Sequence, residues 1–87
     1  MNITDVRVRL VNGENKLKGV ASITIDDCLV VHDIKIIEGK NGMFISMPNK
    51  KSPDGEYKDI VHPIKNEARE QLQSLILKAY QEAVKAE

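Results

Sequence analysis

From Ile3 to Val11 the chain alternates, with Val6, Val8 and Leu10 on one side and Arg7, Arg9 and Val11 on the other. That is the period of a half-buried strand. A turn follows over residues 12–16, and Leu17 to Ile25 resumes the alternation. Leu17, Gly19, Ala21, Ile23 and Ile25 take one face, and Lys18, Val20, Ser22 and Thr24 take the other. The turn centres on Asn12-Gly13 or on Glu14-Asn15. Both loops have an even count, so either choice puts Val6 and Val8 with Leu17 and Gly19, and Arg7 and Arg9 with Lys16 and Lys18.

Cys28 to Ile37 is a third strand with aliphatics on both sides: Val30, His32, Ile34 and Ile36 on one, Leu29, Val31, Asp33, Lys35 and Ile37 on the other. Gly39 to Gly42 reads as a turn and Met43 to Met47 as a short strand. Pro48 to Gly55 reads as a loop closed by Pro53-Asp54-Gly55, and Glu56 to Val61 as a fifth strand. His62-Pro63 stops the sheet, and Asn66 is placed to cap a helix. Ala68, Leu72, Leu75, Ile76, Ala79, Tyr80, Ala83 and Val84 recur at three and four along that helix. The pattern predicts an α+β fold in one domain over residues 1–87. A five-stranded antiparallel sheet of hairpins spans about residues 3–61, and one C-terminal helix, about 66–86, packs on one face.

With 87 residues, one Phe, two Tyr and no Trp, the core is thin and almost wholly aliphatic. One helix covers one face of the sheet. The aliphatics assigned to the other side, Val11, Val20, Leu29, Val31 and Ile37, therefore call for a partner, expected to be a second copy of the chain. Met1 leads straight into polar residues with no apolar signal region or membrane-spanning run, and the single Cys28 has no partner for a disulfide. Both point to a soluble cytoplasmic protein.

Thirteen basic residues balance thirteen acidic ones, so any anion-binding site is local. Lys50 and Lys51 stand before the fifth strand. If the helix runs back antiparallel to that strand, Lys78 and Lys85, seven apart on one helical face, approach them. Arg7, Arg9, Lys16 and Lys18 form a second cluster on the first hairpin, turned away from the helix. Like charges so close cost up to about one kcal/mol, which suits a surface that meets phosphates as much as one solvated beside Asp5, Glu14 or Asp33.

Other chemistry is weakly supported. Cys28, His32, Asp33 and His62 lack the tight pairing of a structural zinc site and read as sheet residues, with His32 in or near the core. Ser22, Ser46, Ser52 and Ser74 sit in no nucleophile elbow, so no catalytic residue, metal or cofactor is assigned. Gly39-Lys40-Asn41-Gly42 imitates the GXXG loop of KH modules, but lies between strands rather than helices.

Ala21-Ser-Ile-Thr-Ile-Asp26, Val30-Val-His-Asp-Ile34, Met47-Pro48, Pro53-Asp-Gly-Glu56, Asp59-Ile60 and His62-Pro-Ile64 together resemble the SpoVG family, over about Met1 to Tyr80. The resemblance implies a small homodimeric bacterial regulator that binds DNA and RNA and affects septation, sporulation and gene expression, without catalysis. It implies a basic pair at Lys50 and Lys51, and helix contacts at Arg69 and Lys78. The sequence departs from the family at Lys51, commonly Arg, at Asn49, usually Ser, and at Cys28-Leu29. The acidic tail many members carry is also missing, which would leave the basic end without its own competing carboxylates. The alternative reading is a protein-interaction module that regulates septation by binding a division or regulatory protein, with nucleic-acid affinity incidental.

Overall fold

The computed structural model describes residues 2–12 and 16–86. Strands β1 (Ile3–Leu10), β2 (Leu17–Ile25), β3 (Leu29–Gly39) and β4 (Gly42–Ser46) form one antiparallel sheet in chain order. β5 (Asn49–Lys51) and β6 (Tyr57–Asp59) pair as a separate two-stranded ribbon, and helix α1 (Asn66–Ala86) ends the chain. The class is α+β, as the pattern predicts, but the five expected strands are divided four plus two. The reason lies at Pro48. It has no N–H to donate to a ladder, so β4 cannot simply extend. Its carbonyl instead accepts the Ile60 N–H at 2.7 Å, so the expected loop before the last strand becomes that strand's partner.

The turn between β1 and β2 lies largely outside the described residues, but the register on either side of it is plain. Val6 faces Ile23, Val8 faces Ala21, Arg7 faces Ser22 and Arg9 faces Val20. Between β2 and β3 the register shifts twice. One shift sets His32 and Asp33 against the single residue Ser22, a β-bulge, with Asp33 at φ 63°. Asp tolerates this left-handed conformation better than most side chains. The bulge overturns strict alternation along β3. Val31 and Ile34, expected on opposite faces, are both buried in the core, while His32, expected in or near it, is exposed. The other shift falls at Lys18, whose ammonium lies 3.6 Å from Glu38.

Ala21, Ile23, Val31, Ile34, Ile36, Ile45 and Met47 of the sheet side meet Leu72 and Ile76 of α1. Five isoleucines, 23, 34, 36, 45 and 76, are fully buried, each stabilising by about 1.5–3 kcal/mol. Leu72, Ile76 and Tyr80, four apart, form the packed stripe, joined by Leu77, while Leu75 and Val84 of the expected stripe are exposed. Tyr80 reaches Gly19, where an added Cβ would sit 3.5 Å from the ring and 3.3 Å from the Arg9 carbonyl. The first intrahelical bond runs from the Arg69 N–H to the Lys65 carbonyl at 3.1 Å. Lys65 thus holds the capping position expected of Asn66, which is the first helical residue. Among the described residues, no helix is long and apolar enough to cross a membrane.

Candidate nucleic-acid interface

The β5–β6 ribbon is closed by a short, well-bonded tip. Ser52 N–H donates to the Glu56 carbonyl at 2.7 Å, and Gly55 N–H donates to the Ser52 carbonyl at 2.9 Å. Gly55 has φ 88°, the left-handed residue that closes a three-residue hairpin loop. The Asp54 carboxylate accepts the Ser52 hydroxyl and the Glu56 N–H, the latter at 3.2 Å. These bonds, the serine's first, hold the Asp54 carboxyl below its usual range.

This tip fixes the ribbon register as Asn49 against Asp59, Lys50 against Lys58 and Lys51 against Tyr57. Lys50 and Lys58, both exposed, therefore stand directly across from one another. Such a like-charge pair is unfavourable by a few tenths to about one kcal/mol. Among the described residues, neither lysine, nor Lys51, is paired with a carboxylate. The ion pairs among the described residues are Arg7 with Asp5, at 2.9 Å, and Lys18 with Glu38.

On the sheet face away from α1, Arg9, Val20, Lys35 and Ser46 form one rung across all four strands. Arg9 and Lys35 are two strand spacings apart, about 10 Å. The next positions along hold Arg7, Ser22 and the exposed His32 and Asp33 of the bulge. Three shallow depressions of about 300 Å³ each run along this side. The first, between Arg7, Arg9 and His32, shares Arg9, Val20 and Asp33 with the second. The second shares Ile60 with the third, which is walled by Lys50, Lys51 and Lys58. Through these shared residues the three adjoin in series, a shallow groove from the ribbon to the open sheet face. It is basic without being wholly so, because Asp33 and Asp59 also line it.

The groove joins Lys50 and Lys51 to Arg7 and Arg9, residues that sequence reasoning put in two unrelated clusters. It does not include the helix cations. α1 packs against β1 and β4 and makes no comparable contact with β5 or β6. Exposed Arg69, Lys78 and Lys85 are thus on the opposite layer from the groove. Lys16 is exposed at the edge of the undescribed turn, and Lys18 is held by Glu38. Sequence reasoning missed Lys35 and Lys58. The signal for Lys58 was present, since it alternates correctly in the last strand, but its pairing with Lys50 depends on residues 49–51 being a strand rather than loop.

On the helix side, an apolar groove of about 340 Å³ opens between Ile25, Val31 and Met47 of the sheet side and Ile64, Ala68 and Leu72. Its rim carries Ile64 at 93% exposure, with Leu29 also exposed nearby in chain terms on β3. Of the five aliphatics expected to need a partner, Val31 is in the core, Val11, Val20 and Ile37 are half-buried, and Leu29 is exposed. Cys28, His32, Asp33 and His62 do not gather. No group of three or more potential metal ligands occurs among the described residues.

The SpoVG family profile matches residues 1–82. A relative from Clostridium beijerinckii named "Putative septation protein SpoVG" is 59% identical over 87 residues, covering 100% of this chain and 96% of the relative. Relatives of the same name from Lachnospira eligens (60% identical, 95% of this chain and 94% of the relative) and Thermoanaerobacter pseudethanolicus (59%, 100% and 95%) agree with it. With a family match across nearly its whole length and near-full-length relatives at this identity, the chain belongs to the SpoVG family.

Proposed function

We propose that this chain is a non-catalytic, cytoplasmic, nucleic-acid-binding regulator that acts as a homodimer. Its role would be in septation, the process its relatives are named for, and in the associated control of sporulation and gene expression. Lys50, Lys51 and Lys58 neutralise backbone phosphates, and Arg9 and Lys35 extend the contact along the groove. The observation that carries the reading is the unpaired Lys50–Lys58 pair at the end of a basic groove. A fold that sets two lysines abreast, neither ion-paired among the described residues, gains most when a polyanion binds there. The apolar groove around Ile64 supports the homodimer, since burying it against a second copy removes a surface that a lone chain leaves in water. No cofactor is needed.

Fluorescence anisotropy with labelled DNA and RNA tests the reading. Lys50→Ala with Lys51→Ala is expected to weaken both by tenfold or more at low salt while leaving the circular dichroism spectrum unchanged. Unchanged affinity would remove the pair from the site.

A second reading, a septation module that binds a division or regulatory protein, is favoured by the zero net charge and by the same apolar groove. A pull-down with and without nuclease separates the two. Partners retained after nuclease support the second reading, and partners lost support the first.

A further inference from the structure

Tyr57 is 70% exposed, more than either of the other two aromatic residues. The other two each cover a glycine. Tyr80 lies over Gly19 against the core, and Phe44 lies over Gly39, where an added Cβ would come within 2.9 Å of its ring. Tyr57 is outside the core cluster and left largely in water, although an aromatic ring is among the largest apolar groups a thin core could bury. It is held instead on the β5–β6 ribbon directly across from Lys51, with Lys50 and Lys58 on the adjoining rung. The ribbon tip keeps it there through the Ser52–Glu56 bond and the Ser52–Asp54–Glu56 network. The exposed ring and Lys51 thus share one face of the ribbon, while Lys50 and Lys58 on the adjoining rung alternate to the other.

We infer that Tyr57 is a stacking platform for an unpaired nucleobase, with Lys51 beside it taking the flanking phosphate. A ring on an open ribbon face offers a base its π-surface whatever its sequence, while cations a few ångströms away hold the backbone. A duplex cannot use it, because paired bases are already stacked and a B-form groove presents only their edges. Lysines alone serve duplex and single strand alike. The tyrosine therefore adds a preference for single strands, DNA or RNA, that the cations do not provide. The inference rests on the nucleic-acid reading above and specifies which form of nucleic acid the site favours.

The test compares binding of a mixed-sequence single-stranded oligonucleotide and its duplex, by anisotropy, to the wild-type protein, Tyr57→Ala and Tyr57→Phe. Tyr57→Ala is expected to weaken single-strand binding by about 5- to 150-fold, the range of one lost base stack, and to leave duplex binding within about twofold. Tyr57→Phe keeps the ring and is expected to retain single-strand affinity. Equal losses for both forms, or no loss for either, overturn the stacking role while leaving the lysine reading standing. A change of oligomeric state in Tyr57→Ala, measured by light scattering, overturns it too and reassigns the ring to a subunit contact. If the wild-type protein binds neither form at low salt, the nucleic-acid reading fails and takes the inference with it.

Discussion

At the scale of single residues, the ribbon end of the groove is made by lysines set against one another. Lys58 faces Lys50 across the ribbon, so removing it relieves repulsion as well as a phosphate contact. Lys58→Ala is expected to weaken nucleic-acid binding while leaving the unfolding free energy in urea unchanged or raising it by a few tenths of a kcal/mol. A loss of binding accompanied by clear destabilisation would mean that Lys58 works structurally. Gly19 is the opposite case, a position set by packing alone. A side chain there would press on the Arg9 carbonyl, Ile36 and Tyr80. Gly19→Val is expected to cost about 1–3 kcal/mol of stability in urea unfolding, and no measurable cost would contradict the close approach of helix and sheet.

At the scale of elements, the ribbon and the bulge are the two features that alternation alone could not supply. Strands β1 and β2 and helix α1 were legible because each carries a regular apolar period, β3 and β4 because they are apolar runs bounded by turn residues, and the helix bounds of 66–86 match. The ribbon was half missed. Asn49–Lys51 has no apolar residue to mark a strand, and its pairing is fixed by the tip bonds of Ser52 to Glu56 rather than by burial. The bulge was missed because one extra residue on β3 leaves no trace in composition. It shows only as the left-handed Asp33, which moves Val31 into the core and His32 out of it. The tip has a consequence in pH. The Asp54 carboxyl is lowered in the folded ribbon, so its stabilisation is complete above the ordinary Asp pKa of about 3.9 and is lost as pH falls through the lowered value. Amide exchange at Gly55 and Glu56 is expected to show constant protection, after correction for intrinsic rates, across neutral and mildly acid pH. Protection should fall only at strongly acid pH, and earlier in Ser52→Ala. Loss of protection near neutrality would contradict the role given to this carboxylate.

At the scale of the molecule, the fold is two-sided: a helix over one sheet face, and a basic groove on the other that runs onto the ribbon. This sidedness explains why residues far apart in sequence, Arg9, Lys35, Lys50 and Lys58, share a surface although the total charge is zero. The site was only partly readable beforehand, since its members lie on separate strands and their proximity follows from β5 and β6 folding away from the main sheet at Pro48. The most direct test of this account is the salt dependence of duplex binding by the wild-type protein and by the triple variant Lys50→Ala, Lys51→Ala, Lys58→Ala. Each phosphate contact contributes about 0.9 to the slope of log affinity against log salt. The slope is expected to be shallower by about 2 to 3 in the triple variant, with the fold intact. An unchanged slope would contradict the phosphate contacts given to these lysines.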